Sequence, residues 1–228
     1  MKYYLFLIYA CIYCFIGGKN LLAQDLEFEL LLRPALTSLR GNDMVEDHFD
    51  PAIYPSFGLG VTRLFTNRSL IHVAVLYDMK GGRNEEEFVF RNDANQPIGT
   101  QVVKTRSDFQ YITIPIQCGK RFGTRVKYQL GLGIYSAFLL KQELTTEYDG
   151  YAGSLDMIDS FKDVDIGLSA SFSVHVPLKK NWPLKAGLDD YVGVFDAMKA
   201  DVEHEGSTKH NSLGFVVGLN CRLDKTKG

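Results

Sequence analysis

The stretch DIGLSASFSVHVP, residues 165–177, alternates without a break. Ile166, Leu168, Ala170, Phe172, Val174 and Val176 fall on one side, and Asp165, Gly167, Ser169, Ser171, Ser173 and His175 on the other. Successive side chains of a β-strand point to opposite faces, so this is a strand with one greasy face and one small, polar face. What such a chain folds into depends on which face meets water. In a soluble barrel the apolar row lines the interior; in a membrane barrel it faces lipid and the small polar row looks inward.

Period-2 stretches recur at 26–39, 54–65, 70–79, 109–120, 126–140, 164–176, 184–195 and 213–223, which predicts eight strands. Their connections alternate in length. TNRS (66–69), RFGTR (121–125) and PLKKNWP (177–183) are tight and rich in turn formers, while 40–53, 80–108, 141–163 and 196–212 are long and polar. An up-and-down antiparallel barrel with an even strand number produces this pattern, with both termini on the short-turn side. A Greek-key sandwich mixes its loop lengths. The longest connection, 80–108, holds strand-like halves at 87–90 and 100–104 around the turn-prone segment 92–97. It reads either as a hairpin continuing the third and fourth strands or as a flexible loop.

The other strands answer the question of facing. Leu130, Leu132, Ile134 and Phe138 oppose Gln129, Gly131, Gly133, Tyr135 and Ala137; Ile112, Ile114, Ile116 and Cys118 oppose Tyr111, Thr113, Pro115, Gln117 and Gly119. In the last strand Phe215, Val217, Leu219 and Cys221 oppose Gly214, Gly218, Asn220 and Arg222. With the apolar rows inside, the exterior would be glycine and serine, which shield little backbone. With those rows in hydrocarbon, each large side chain gains roughly 1.5–3 kcal/mol on leaving water, and small polar groups fill a narrow lumen. The second placement accounts for both rows. The expected fold is therefore an all-β, eight-stranded antiparallel up-and-down transmembrane β-barrel with short periplasmic turns and long extracellular loops. Aromatic girdles are expected from Phe65, Phe122, Tyr128 and Trp182 at the short-turn end, and from Tyr77, Phe109, Phe138 and Phe195 toward the loops. Arg63, nominally outward, would snorkel at the boundary. Asp190, outward near mid-strand, would be costly in lipid, which predicts a bulge at Asp189-Asp190 or a position near the loop-side rim.

The N-terminal residues 1–23 carry Lys2, an apolar core over 3–16 and Ala23 before Gln24, the pattern of a secretory signal removed on export. The apolar run is shorter than the ~20 residues a spanning helix needs and is broken at Gly17-Gly18-Lys19-Asn20. That leaves 24–228 as the barrel domain, destined for the outer membrane. Cys11 and Cys14 leave with the signal, and Cys118 and Cys221 have no metal-ligand spacing and read as small hydrophobes on distant strands. The formal net charge of −2, without a basic stripe, argues against a nucleic-acid partner.

From about Leu26 to Leu223 the chain resembles the PorT-like outer-membrane β-barrel family, abundant in Bacteroidetes-type bacteria. The resemblance rests on LLRPALTSLRGND, VAVLYDMKGG, FQYITIPIQCGKRFG, YQLGLGIYSAFLL and LGFVVGLNCRL, with YITIPI and GLGIY the most diagnostic pieces. It implies partners in the outer-membrane bilayer and in the outer-membrane insertion machinery. Such barrels usually finish on an aromatic residue, whereas Leu223 holds that place here and DKTKG follows.

The inward row offers Glu27, Glu29, Arg33, His72, Asp78, Gln117, Asp165, His175, Lys185 and Arg222. Cross-pairing at comparable heights makes Glu29, Arg33, His72, Asp165, His175, Lys185 and Arg222 a candidate polar network that plugs the lumen. The function this predicts is a non-enzymatic outer-membrane barrel whose outer loops meet a ligand or an envelope protein. Two alternatives are a soluble exported carrier of lipocalin type and an outer-membrane hydrolase. The hydrolase would use Asp189-Asp190 with the loop histidines His204 and His210, or a Ser207, His210 and Asp201 triad, although no nucleophile motif supports either. No cofactor loop is evident, since GLG at 58–60 and 131–133 lies within strands. Glu46, Asp47, His48 and Asp50 in MVEDHFD gather donors for a weak divalent-ion site, but a hydrated loop explains them as well, and no metal is expected.

Overall fold

The computed structural model describes residues 25–41, 49–92, 95–179, 181–199 and 208–222. The expected signal segment, most of MVEDHFD, the segment with Asp201, His204 and Ser207, and Leu223 lie outside them. Among the described residues are eleven strands: β1 (Asp25–Leu32), β2 (Ala35–Gly41), β3 (Asp50–Tyr54), β4 (Ser56–Leu64), β5 (Ser69–Arg91), β6 (Pro97–Phe122), β7 (Lys127–Tyr148), β8 (Tyr151–Asp156), β9 (Val164–Lys179), β10 (Trp182–Gly193) and β11 (Thr208–Arg222).

These strands build an eight-stranded antiparallel ring. Around it run β1, β4, β5, β6, β7, β9, β10 and β11, and β11 returns to β1 through pairs such as Glu29↔Asn220 and Leu30↔Leu219. β2 continues β1 beyond Arg33-Pro34, and β3 leads into β4 across Pro55. A proline has no N–H for the ladder, yet pairing carries through: Arg33 N–H donates to Ser56 O at 2.8 Å, Ser56 N–H to Arg33 O at 3.0 Å, and Phe215 N–H to Pro34 O at 2.9 Å. A closed ring leaves no unpaired backbone in hydrocarbon, the condition any spanning sheet must meet.

The apolar rows face outward. Leu132 is 71% exposed, Leu168 57% and Phe215 50%, while Tyr135, Gln129 and Ser173 are at most 1% exposed. The interior has no room to spare. A Cβ on Gly133 would lie 1.9 Å from Ile116 O of the adjacent strand, so the backbones approach there in a way only glycine allows. Gly123, in the short β6–β7 turn, has φ +100°, the left-handed region that favours glycine.

The longest connection is a ladder, not a loop. β5 and β6 stay paired from Ser69↔Lys120 to Val89↔Thr100, and β7 and β8 add two more strands to the projecting sheet. On β5 the outward row runs Ile71, Val73, Val75, Tyr77, Met79 and then Arg83, Glu85, Glu87. The apolar part of that row covers nine residues, Ile71 to Met79, the length a tilted span of about 9–11 residues requires. Beyond it the strands are wet on both faces, so the apolar row that betrays a strand in sequence is missing.

One expectation needs correction. Phe109 is not a girdle residue; it shares the inward row with Tyr111 and is 1% exposed, packed edge-on against Phe161 at 4.8 Å. Of the two arrangements expected for Asp190, a bulge or a place toward the loop-side rim, the second occurs: the register Asp189↔Gly214, Asp190↔Leu213 is continuous, and the irregularity of β10 lies at Trp182/Pro183. Asp190 keeps its outward parity in the loop-side third of β10, while Asp189 points inward. Arg63 sits at the short-turn end with its guanidinium 5.2 Å from the Phe65 ring. Cys118 and Cys221 are free thiols.

Candidate functional site

The lumen is crossed by polar contacts at three heights, each assembled from strands on different sides of the ring. At the short-turn end Glu27 of β1 accepts from Arg121 of β6 at 2.6 Å and from Arg222 of β11 at 3.0 Å. Arg121 also donates to Gln129 Oε1 from Nε and Nη2, at 3.0 and 2.6 Å. One step up, Glu29 accepts from Lys185 Nζ at 2.8 Å and Thr62 Oγ1 at 2.5 Å, with His72 Nε2 at 3.5 Å.

The middle tier centres on Arg33, which is 1% exposed. Its Nε donates to Asp189 Oδ1 at 2.5 Å, and Nη1 and Nη2 donate to Ser212 Oγ and O, both at 2.9 Å. Asp78 stands 3.5 Å from Nη1 and accepts from Ser56 and Thr113. The guanidinium also lies 4.2 Å from the centroid of the Tyr191 ring. Its planar fork suits this many partners at once.

At the loop side Asp165 accepts from Tyr135 Oη at 3.1 Å and faces Lys80 at 3.6 Å and His210 Nδ1 at 3.5 Å. Lys80 spans to Asp78 at 3.7 Å and lies over the rings of Tyr135 and Tyr111 at 4.6 and 5.2 Å. Above this tier apolar groups pack against one another. Phe109, Phe161, Leu39 and Ala197 form one cluster with Met157 and Met198 against it. The segments that supply them are laced by Lys162 N–H donating to Ala197 O and Ala197 N–H to Thr208 O, both at 2.7 Å.

Five buried or part-buried carboxylates, Glu27, Glu29, Asp78, Asp165 and Asp189, thus meet five permanent cations, Arg33, Lys80, Arg121, Lys185 and Arg222. A buried charge without a partner is heavily penalised, and here each has at least one. The space left between the lower and middle tiers, bounded by Leu31, His72, Ala74, Gln117, Ser171 and Lys185, is about 20 Å³, room for one or two waters and no solute.

Sequence placed Glu29, Arg33, His72, Asp165, His175, Lys185 and Arg222 on the inward row. Structurally, Glu29 meets both His72 and Lys185, whereas Arg33, Asp165 and Arg222 belong to three separate tiers. His175 contacts Ser173 Oγ through Nε2 at 3.2 Å and no carboxylate. Lys80, Arg121, Asp189 and His210 complete the tiers but were not among the residues expected there. Extending the period-2 rows two residues past Asp78, four past Lys185 and four back from Gly214 would have found Lys80, Asp189 and His210. His210 is a correction: it is not a loop histidine but a β11 residue, 1% exposed, ringed by Phe109 at 4.7 Å and Tyr111 at 5.6 Å. It lies buried beneath the apolar groups. Among the described residues no group of three metal-ligating side chains occurs, and no helix is long and apolar enough to cross a membrane.

Two open concavities flank the lumen. The loop-side cleft, about 400 Å³, is walled by Asp50, Arg83, Glu85, Lys104, Arg106 and Glu147, with charges of both signs. The short-turn mouth holds a cavity of about 230 Å³ walled by Arg121, Arg125, Lys127, Arg222 and His175.

A family model described as outer membrane protein beta-barrel domain matches residues 22–198. No curated protein sequence matches the chain. Among solved structures, Neisserial surface protein A is 14% identical, with 87% of this chain and 97% of that one covered and a TM-score of 0.44. The attachment invasion locus protein Ail of Yersinia pestis is 12% identical, covering 85% and 97%, with a TM-score of 0.40. A major outer membrane protein from Thermus thermophilus is 10% identical, covering 87% and 99%, with a TM-score of 0.42.

Proposed function

The chain belongs to the outer membrane protein beta-barrel domain family, and from that premise we propose that it is a non-enzymatic integral outer-membrane barrel with a closed lumen, working through its loop-side surface. The observation that carries the closed lumen is the Arg33 tier. A guanidinium from the end of β1 bonded to Asp189 of β10 and Ser212 of β11, with Asp78 of β5 beside it, bars the barrel at mid-height. Apolar packing of Phe109 against Phe161 closes the level above.

The finer identity is of PorT-like type, exported by a signal cleaved between Ala23 and Gln24 and folded by the outer-membrane insertion machinery. A ligand or envelope protein partner engages the projecting β5–β8 sheet. The outward apolar rows speak against a soluble lipocalin-like carrier, whose exterior must be wettable, and the burial of His210 withdraws one of the two imidazoles a loop-side hydrolase could use.

Refolded protein in planar bilayers tests the closed lumen. The expected result is no steady conductance above that of the bare membrane. A large, stable single-channel conductance overturns it.

A further inference from the structure

The outward rows of β1–β2 and of β11 end alike on the loop side. On one, Phe28, Leu30, Leu32, Pro34 and Leu36 run apolar over nine residues; on the other, Leu213, Phe215, Val217, Leu219 and Cys221 do the same. Nine residues is the length a tilted span of about 9–11 residues requires. Both rows then turn polar in step, for Leu36 pairs with Leu213, Ser38 with Asn211 and Arg40 with Lys209. The alternate residues Thr37, Leu39, Thr208 and His210 are buried on the inner side, so Arg40 and Lys209 share the outer face.

Two cations thus stand directly opposite each other in an antiparallel pair, an arrangement that is destabilising by itself and that an anion between them relieves. Cations of the projecting sheet and its base are placed differently: Lys104 lies 3.3 Å from Glu85, Arg106 2.7 Å from Asp108 and Lys141 2.7 Å from Glu143. Arg40 Nη2 donates to Gly193 O of β10 at 3.4 Å, which carries its guanidinium across β11, the strand that bears Lys209. Two carboxylates lie on the adjoining segments. Asp190 of β10 is opposite Leu213, four residues deeper than Lys209 along β11, and Asp196 Oδ1 accepts from the Met198 and Thr208 amides.

With the hydrocarbon matched to the two apolar rows, Arg40 and Lys209 sit four residues beyond its edge. That is about 13 Å along a strand rising about 3.3 Å per residue, and roughly 10 Å in height at a tilt of about 40°. The headgroup layer is about 5–8 Å thick, so long side chains leaning back toward the membrane end among its phosphates. We propose that Arg40 and Lys209 bind the phosphate of an outer-leaflet lipid headgroup whose acyl chains lie along the Leu36 and Leu213 rows. The guanidinium fork takes two phosphate oxygens and the ammonium group a third. The site is on the outside of the barrel, so it rests on the long connections facing the outer leaflet and not on whether the lumen conducts.

Isotope-labelled, folded protein in non-ionic detergent is titrated with dioctanoylphosphatidic acid, with dioctanoylglycerol, which lacks only the phosphate, and with inorganic phosphate, all at constant ionic strength to hold screening fixed. The amide resonances of Ser38 and Asn211, one rung below the cations, report occupancy by nuclear magnetic resonance. The expected result is a saturable shift with phosphatidic acid and binding at least tenfold weaker for each of the other two. Arg40→Gln/Lys209→Gln is expected to weaken phosphatidic acid binding at least tenfold. Lys104→Gln/Arg106→Gln, which removes the same charge from the projecting sheet, should change it less than twofold. Both double variants should keep the gel shift of the unboiled folded barrel. A shift that never saturates, one that dioctanoylglycerol matches, or one that weakens equally in the two double variants overturns the proposal. Equal binding of inorganic phosphate also overturns it, since the site would then take the free anion and not a headgroup.

Discussion

Removing the Arg33 side chain tests whether the lumen is a packed polar core or a wet channel. Arg33→Ala deletes the bonds to Asp189 at 2.5 Å and to both oxygens of Ser212 at 2.9 Å, and the ion pair with Asp78 at 3.5 Å. Asp78 keeps Ser56, Thr113 and Lys80. Asp189 loses its ion-pair partner and stays buried at 8% exposure. Breaking a buried pair from one side costs about 3–5 kcal/mol, against at most about 1 kcal/mol for a pair screened by solvent. Because the vacated volume can admit water to Asp189, the lower end, about 3 kcal/mol, is expected, a shift of about a hundredfold in the unfolding equilibrium. Urea unfolding in lipid vesicles, followed by Trp182 fluorescence and by the unboiled gel band, measures it. The double variant Arg33→Ala/Asp189→Asn should recover at least about 1 kcal/mol of the loss, since the stranded carboxylate is gone. A cost below about 1 kcal/mol for Arg33→Ala, with the two changes simply adding, would refute a dry lumen.

Gly214→Ala puts a Cβ 2.4 Å from Arg33 Nε and 2.5 Å from Asp189 Oδ1; it should cost about 1–3 kcal/mol in the same unfolding assay, and less than half of that once Arg33 is alanine. Leu132→Arg, on the outward row of β7, should destabilise the bilayer-embedded barrel by about 2–4 kcal/mol. Leu155→Arg, also exposed but on the projecting strand β8, should change stability by no more than about 0.5 kcal/mol; equal effects at the two sites would contradict the assigned bilayer boundary. Phe161→Ala removes the ring packed against Phe109, and hydrogen exchange at the Lys162 and Ala197 amides should quicken while the Arg33 tier still keeps conductance low. Unchanged exchange at those amides would show that Phe161 does not hold the cap.

What was legible depended on which face of a strand carried information. Between residues 165 and 177 the alternation of Ile166, Leu168 and Phe172 with Ser169, Ser173 and His175 settled strand, parity and facing together, because hydrocarbon outside and a crowded axis inside demand opposite residue types at every step. Where the ladder leaves the bilayer that demand lapses. Glu85 and Glu86 fell in the long polar connection, outside its strand-like halves, although both lie in β5, since a strand wet on both faces needs no periodicity. Thr208 to Ser212 was read as loop for a related reason: the row outside turns polar at Lys209 and Asn211, so the period-2 signal fades while the chain is still in the ring.

Taken alone, the order of residues determined the architecture: eight crossings, their facing, the end at which the turns are short, and a polar axis with Glu29, Arg33 and Asp165 on it. These follow from local period and turn chemistry, which each segment carries in itself. Only the closed ring decided who meets whom. Arg33 and Asp189 are 156 positions apart, and Glu27 and Arg222 are 195 apart; their contact is set by shear and register around the whole barrel, a property no single strand encodes.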